Sequence, residues 1–160
     1  MSKSFKVDYS VGLSNEKRIL KILKNKYNDT DNKIRLNEDI YGFFDIIDDI
    51  NNRFYEIKKR NYNFSCFDDW MIGLDKYKSF QKLKKIDNNF KKYSLFLIQS
   101  NKDDDYFVII NKKKIINIQQ FKRKNRIDKI DMKKDYLYID SKYFKKLDKM
   151  KRNKNCIVQL

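Results

Sequence analysis

The chain reads as an α/β (α+β) protein, a mixed β-sheet flanked by helices, on three observations. An apolar helical period runs over residues 13–27. Three short apolar segments then follow at hairpin distances, and a second helical stretch precedes another apolar strand.

Residues 13–27 (LSNEKRILKILKNKY) place Leu13, Ile19, Leu20, Ile22, Leu23 and Tyr27 near helical spacing, with Ser14 as the expected N-cap. Residues 28–32 are five polar turn formers that break the pattern. Strands are expected at Lys33–Leu36 and Ile40–Ile47, with Gly42 as a bulge or close approach. Residues 48–52 (DDINN) are a turn by composition, Asp48 and Asp49 included, and a strand follows at Arg53–Arg60. A second helix is expected over Asp69–Ile86, capped by Asp68 or Asp69, with Trp70, Leu74, Tyr77 and Leu83 toward the core. The apolar run Tyr93–Gln99 is a buried strand, residues 101–105 a polar turn, and Tyr106–Asn111 the returning strand. Residues 115–121 suit a strand or a short helix equally. Residues 122–135 read as a basic linker or exposed loop, and 136–139 as a last strand. Ser141 is placed to cap a short helix through Met150, ahead of a mobile tail from Lys151.

No repeat or composition shift divides the 160 residues. A single domain over 1–160 is therefore expected, with a core at about 13–110 and a basic C-terminal extension at about 111–160. Hydrophobic residues make up 41% of the chain, enough to fold despite 38% charged residues. No run approaches the roughly 18 apolar residues of a membrane span. The first ten residues (MSKSFKVDYS) contain no apolar signal region, so an intracellular, non-secreted protein without membrane association is expected.

Histidine is absent, which excludes Ser-His-Asp and Cys-His catalysis and any histidine base. Cys66 and Cys156 lie too far apart in sequence for metal-ligand spacing. Three glycines form no phosphate-binding loop, which excludes P-loop nucleotide hydrolysis. The net charge of +16 points to a polyanionic partner. It is uneven: residues 101–160 carry 18 Lys/Arg against 8 Asp/Glu, and residues 1–100 carry 20 against 14. Abundant Lys, Asn, Ile, Tyr and Phe without proline is also what an AT-rich genome would produce, as in a virus, a phage or a low-GC host.

Chemistry concentrates between Asp45 and Lys58. Phe43-Phe44-Asp45-Ile46-Ile47 sets one acid in an apolar strand, and Tyr55-Glu56-Ile57-Lys58 adds an acid and a lysine two residues apart. An ionised carboxylate among such neighbours costs several kcal/mol unless it is paired or metal-bound. Residues i and i+2 of a strand share a face, so Glu56 and Lys58 project together, and a hairpin would bring Asp45 to them. Two carboxylates suit a hard cation such as Mg²⁺ or Mn²⁺, with the Ile57 carbonyl as a further ligand. A lysine beside them can orient a water for phosphodiester hydrolysis. Solvated strand charges and a satisfied structural acid are the bland alternatives. Lys59 and Arg60 continue this strand as phosphate contacts or solubilising charge. The runs at 112–114 and 122–124 could follow a nucleic-acid backbone.

These residues resemble the PD-(D/E)XK nuclease superfamily. Its core is a helix, a three-stranded meander, a second helix and a further strand, matching the expected order over residues 13 to about 99. The motif would be Asp45 followed by Glu56-Ile57-Lys58, with Phe44 where a proline is usual. Residues 12–20 (GLSNEKRIL) look like the start of archaeal Holliday-junction resolvases. The resemblance implies a restriction-endonuclease-like core and a Mg²⁺- or Mn²⁺-dependent endonuclease. Glu16 on the first helix would join Asp45, Glu56 and Lys58 as a catalytic residue and a further metal ligand. Tyr77, Lys78 and Gln81 on the second helix would face nucleic acid. DNA is the implied substrate, RNA is left open, and a homodimer would pair two cuts. The competing reading is a non-catalytic nucleic-acid-binding protein on the same fold.

Overall fold

The computed structural model describes residues 3–38, 43–124 and 130–153. It opens with helix α1 (Lys3–Tyr27), longer than its apolar period predicted. Ser14 therefore lies in the helix interior rather than at a cap. No proline stops the helix upstream, and Gly12 costs it only about 1 kcal/mol. Ile19, Leu23 and Tyr27, four residues apart, form its buried stripe.

Strands β1 (Ile34–Leu36), β2 (Ile46–Asp48) and β3 (Arg53–Lys59) form an antiparallel meander. β2 is shorter than expected: Asp45 precedes it, though its N–H still donates to the Tyr55 carbonyl at 2.9 Å. Residues 39–42, with the expected strand start and Gly42, lie outside the described residues. Asn28, Asn32 and Asn52 take the left-handed conformation in the turns expected there, which asparagine tolerates better than most residues.

Beyond β3 come β4 (Asp69–Gly73), α2 (Leu74–Ile86), β5 (Ser94–Ser100), β6 (Asp105–Ile109), β7 (Ile115–Lys124), β8 (Asp131–Asp140) and β9 (Lys145–Lys146). The larger sheet has the order β1-β2-β3-β5-β6-β9, with β3 and β5 parallel. A parallel pair needs a crossover, and β4 with α2 supplies it. A second, three-stranded sheet has the order β4-β8-β7.

The alternation of side chains along β3 and β5 separates two apolar clusters. Tyr55, Ile57, Phe96 and Ile98 pack against α1, while Phe54, Leu95 and Leu97 face α2 and the second sheet. Glu56 lies between Tyr55 and Ile57, so it projects to the α2 side. No helix among the described residues is long and apolar enough to cross a membrane.

Several expectations are corrected. The second helix begins at Leu74, not Asp69, and neither Asp68 nor Asp69 caps it. Residues 69–73 form a strand because Trp70 and Ile72 alternate into the core opposite Ile139 and Leu137. Trp70, Leu74, Tyr77 and Leu83 do reach that core. Residues 115–121 are strand, and the expected linker at 122–135 is largely a paired hairpin, with Lys122 opposite Lys133 and Lys124 opposite Asp131. Lysines at solvent-facing positions hid its period, and residues 125–129 lie outside the described residues.

The expected helix over 141–150 is instead two single 3₁₀ turns flanking β9. Ser141 donates to the Phe67 carbonyl at 2.8 Å, and Asp140 accepts from the Lys142 N–H. The start of the expected mobile tail is tied down. Arg53 donates to the Lys151 carbonyl at 2.6 Å, and the Asn153 N–H donates to Asn51 Oδ1 at 3.0 Å.

Asp48 does more than turn the chain. Fully buried, it accepts from the Asn51 N–H and Nδ2, each at 2.8 Å, and from the Tyr55 hydroxyl at 3.0 Å. Removing the carboxylate orphans three buried donors. Asp48→Ala is expected to cost about 3 kcal/mol or more of stability. Denaturant unfolding reads this directly, and a loss under about 1 kcal/mol would mean that water replaces the network.

Candidate functional site

The meander brings the residues of the short motif together. Where β2 stops pairing, Asp45 turns its side chain onto β3, and its Oδ2 accepts from the Ile57 N–H at 2.6 Å. A strand residue's N–H and C=O leave the strand on the same side. The Ile57 carbonyl therefore lies on the edge that Asp45 occupies.

Glu56 is 1% exposed, and its two oxygens are held apart by two lysines. Lys58 Nζ stands 2.5 Å from Oε1, and Lys76 Nζ stands 3.3 Å from Oε2. Among the described residues Oε2 accepts no hydrogen bond, and the Lys76 charge stands nearest to it. Both lysines keep partial contact with solvent.

The electrostatics show mutual proximity. Burial first, then the charge of Glu56, push the Asp45 carboxyl up to about 7, against the Ile57 hydrogen bond and Lys58, which lower it. Glu16 on α1 is also raised, by burial and by Glu56, with Lys58 and Lys76 opposing. Burial pulls Lys58 down, but Glu56 and Asp45 outweigh it and leave the ammonium above its ordinary value. Lys58 is thus a fixed cation near neutral pH, not a base.

Among the described residues, no three His, Cys, Asp or Glu side chains stand close enough to share a metal ion. The reason is visible in the partners: Glu56 faces its lysines and Asp45 faces a peptide N–H. By donor chemistry the set still fits a hard cation. Asp45 and Glu56 offer carboxylate oxygens, Ile57 a peptide oxygen, and Glu56 Oε2 is buried with an ion pair to Lys76 but no hydrogen bond among the described residues.

The nucleic-acid contacts expected from the sequence divide. Lys59 and Arg60 line a cleft of about 740 Å³ that also includes Asn15, Arg18, Ser100 and Asp105. Arg18 closes one side, donating to both Asp105 oxygens at 2.7 and 2.6 Å. The Arg60 guanidinium is half-buried, makes no ion pair among the described residues, and is held below its ordinary value by burial. Tyr77 packs into the core beside α2, whereas Lys78 and Gln81 are exposed.

Two residues of this site escape the sequence reading. Lys76, not Lys78, is the lysine of α2 that reaches the acids. Gln99 sits opposite Lys58 in the β3–β5 register, fully buried, with neither amide atom hydrogen-bonded among the described residues. Its signal resembles that of Asp45: one polar residue inside an apolar strand, here Leu95-Phe96-Leu97-Ile98-Gln99. Comparison with protein-family models and with curated proteins finds no match for this chain.

Proposed function

We propose that the chain is a metal-dependent nuclease that hydrolyses phosphodiester bonds of DNA. The observation that carries the reading is the carboxylate pair itself. Burial and the charge of Glu56 push the Asp45 carboxyl up to about 7, and Glu56 is itself fully buried and paired with Lys58 and Lys76. One carboxyl so perturbed beside a second acid and a cation marks a functional-site candidate. The order α1, β1–β2–β3, α2, β5, with β3 parallel to β5, supports the resemblance to the PD-(D/E)XK superfamily, with β4 inserted before α2.

A Mg²⁺ or Mn²⁺ ion held by Asp45, Glu56 and the Ile57 peptide oxygen would supply positive charge to the scissile phosphate and an acidic bound water. Asp45 sheds its proton close to neutral pH, so it is available as a ligand there. With Glu56 drawn to the ion, Lys58 would be left to donate a hydrogen bond to the attacking water or a phosphate oxygen. Lys76 adds positive charge on the α2 side, and Glu16 adds the field of a third acid from α1. Arg60, a half-buried guanidinium with no ion pair among the described residues, would meet a neighbouring phosphate.

The engagement of both Glu56 oxygens by lysine favours one second reading, a nucleic-acid-binding module with an idle site. Labelled junction, flap, duplex and single-stranded DNAs, incubated with Mg²⁺ or Mn²⁺ and with chelator, separate the two. Cutting that requires metal and disappears in Asp45→Asn is the expected result. Binding without cutting under either metal would leave the module, and normal cutting by Asp45→Asn would remove the site assignment.

A further inference from the structure

The hairpin β7–β8 carries a second surface that the nuclease chemistry does not use. In its register, Asn117 faces Tyr138, Gln119 faces Tyr136 and Phe121 faces Lys134. These six residues share one side of the ribbon, because Leu137 and Ile139, on the other side, are buried in the core. Phe121 is 43% exposed, and its ring stands 6.1 Å from that of Tyr136 and 6.3 Å from that of Tyr138. Lys134 lies 5.8 Å over the Tyr136 ring. Asn117 and Gln119 are exposed beside the rings. The strand β7 holds three basic residues and no acid.

This face runs into the candidate site. Lys134 pairs with Asp75 at 3.4 Å, and the next residue, Lys76, pairs with Glu56. Tyr136 is close enough to Arg60 for the two to interact electrostatically. Gly73, opposite Tyr136, leaves room for the Asp75–Lys134 pair at the junction. A Cβ there would meet Asp75 Oδ1 at 2.2 Å and Lys134 Cε at 3.1 Å.

We propose that this face is a stacking platform for an unpaired nucleic-acid strand, delivering it to the acids past Arg60 and Lys76. The chemistry selects the occupant. The exposed Phe121 ring, with Tyr136 and Tyr138 half-buried beside it, gains from the faces of splayed bases, which a duplex keeps inside its own stack. The amides of Asn117 and Gln119 suit base edges, and Lys134 on the same face, with Arg60 and Lys76 beyond it, suits phosphates. A duplex would meet only the charge. The proposal deepens the nuclease reading, on which the delivery step rests, but the platform itself is testable without cleavage.

The test is binding in chelator at fixed salt, read by fluorescence anisotropy. The probes are a labelled DNA single strand, its RNA counterpart, and the same sequence as duplex DNA. The wild type should bind one or both single strands at least about tenfold more tightly than the duplex. Phe121→Ala should weaken single-strand binding about tenfold and duplex binding less than about twofold, while Phe121→Trp retains both. Because Phe121 is exposed, an unchanged circular dichroism spectrum should accompany the loss.

Equal affinity for duplex and single strand would overturn the proposal, as would single-strand binding unmoved by Phe121→Ala. So would a dimer that Phe121→Ala dissociates, since β7 is an edge strand and a second copy would then be its partner. Single-strand preference without any metal-dependent cutting would refute the nuclease and keep the platform. Duplex cutting indifferent to Phe121 would do the reverse.

Discussion

Lys58→Ala is expected to lower metal-dependent cleavage by roughly 10²–10³-fold while leaving nucleic-acid binding in chelator unchanged. The geometry separates these effects. Lys58 sits 2.5 Å from a buried Glu56 oxygen, and Glu56 and Asp45 keep its ammonium charged. Its contribution is one positive charge held beside the acids, and alanine removes that charge without opening the core. Lys76 remains on the other Glu56 oxygen, so Glu56 is not left as an unpaired buried anion.

A merely structural lysine would predict something else: weaker folding, with activity falling only as folded protein is lost. The decisive readouts are therefore turnover at saturating substrate and metal affinity measured by calorimetry. Turnover should collapse, because the donor acts on the reacting groups. Metal affinity should hold or rise, because a cation competing for Glu56 has gone. Turnover within about threefold of wild type would sink Lys58 as a catalytic residue.

What the sequence disclosed follows from the range of each signal. The meander was legible because its turns are asparagine-rich and its strands short and apolar. Asp45 stood out because an acid among Phe44, Ile46 and Ile47 has no local excuse. Gln99 carried a similar signal, but without a charge or a motif partner it passed for the end of a strand. Lys76 was not legible at all. α2 carries Lys76, Lys78, Lys82, Lys84 and Lys85, and only its docking decides which one meets Glu56. β4 was misread because Trp70 and Ile72 suit either period until Leu137 and Ile139, some 65 residues onward, claim them as strand partners. In the β7–β8 ribbon residues 136–139 were legible as a strand, but the outer stretch at 122–124 and 131–135 was not. Its described positions are mostly charged and solvent-facing, and its order comes from backbone pairing rather than from a buried face.

The acid cluster should also leave its mark on stability in the absence of metal. A carboxyl whose folded pKa is raised binds its proton more tightly in the folded state than in the unfolded one. For Asp45 the folded value is about 7 against an ordinary 3.8, so folding is favoured most at low pH. That advantage is lost as pH rises from about 4 to about 7, and Glu16, raised in the same direction, adds to the slope. In chelator, the wild type is expected to lose about 2–3 kcal/mol between pH 5 and pH 8.

Asp45→Asn keeps an oxygen for the Ile57 N–H but carries no charge, and it removes the repulsion from Glu56 and Glu16 that Asp45 feels. Its stability should fall much less over the same range, with Glu16 the remaining contributor, and should exceed that of the wild type at pH 8, although the variant is expected not to cut. Urea unfolding at the two pH values reads both slopes. Adding Mg²⁺ at pH 8 should recover part of the wild-type loss and none in the variant. Parallel slopes would show that Asp45 is already ionised, with its charge compensated by the lysines. An equal response to Mg²⁺ would place the cation elsewhere. On the proposed reading, the burial and the Glu56 charge that raise the Asp45 carboxyl are also what a divalent cation would offset.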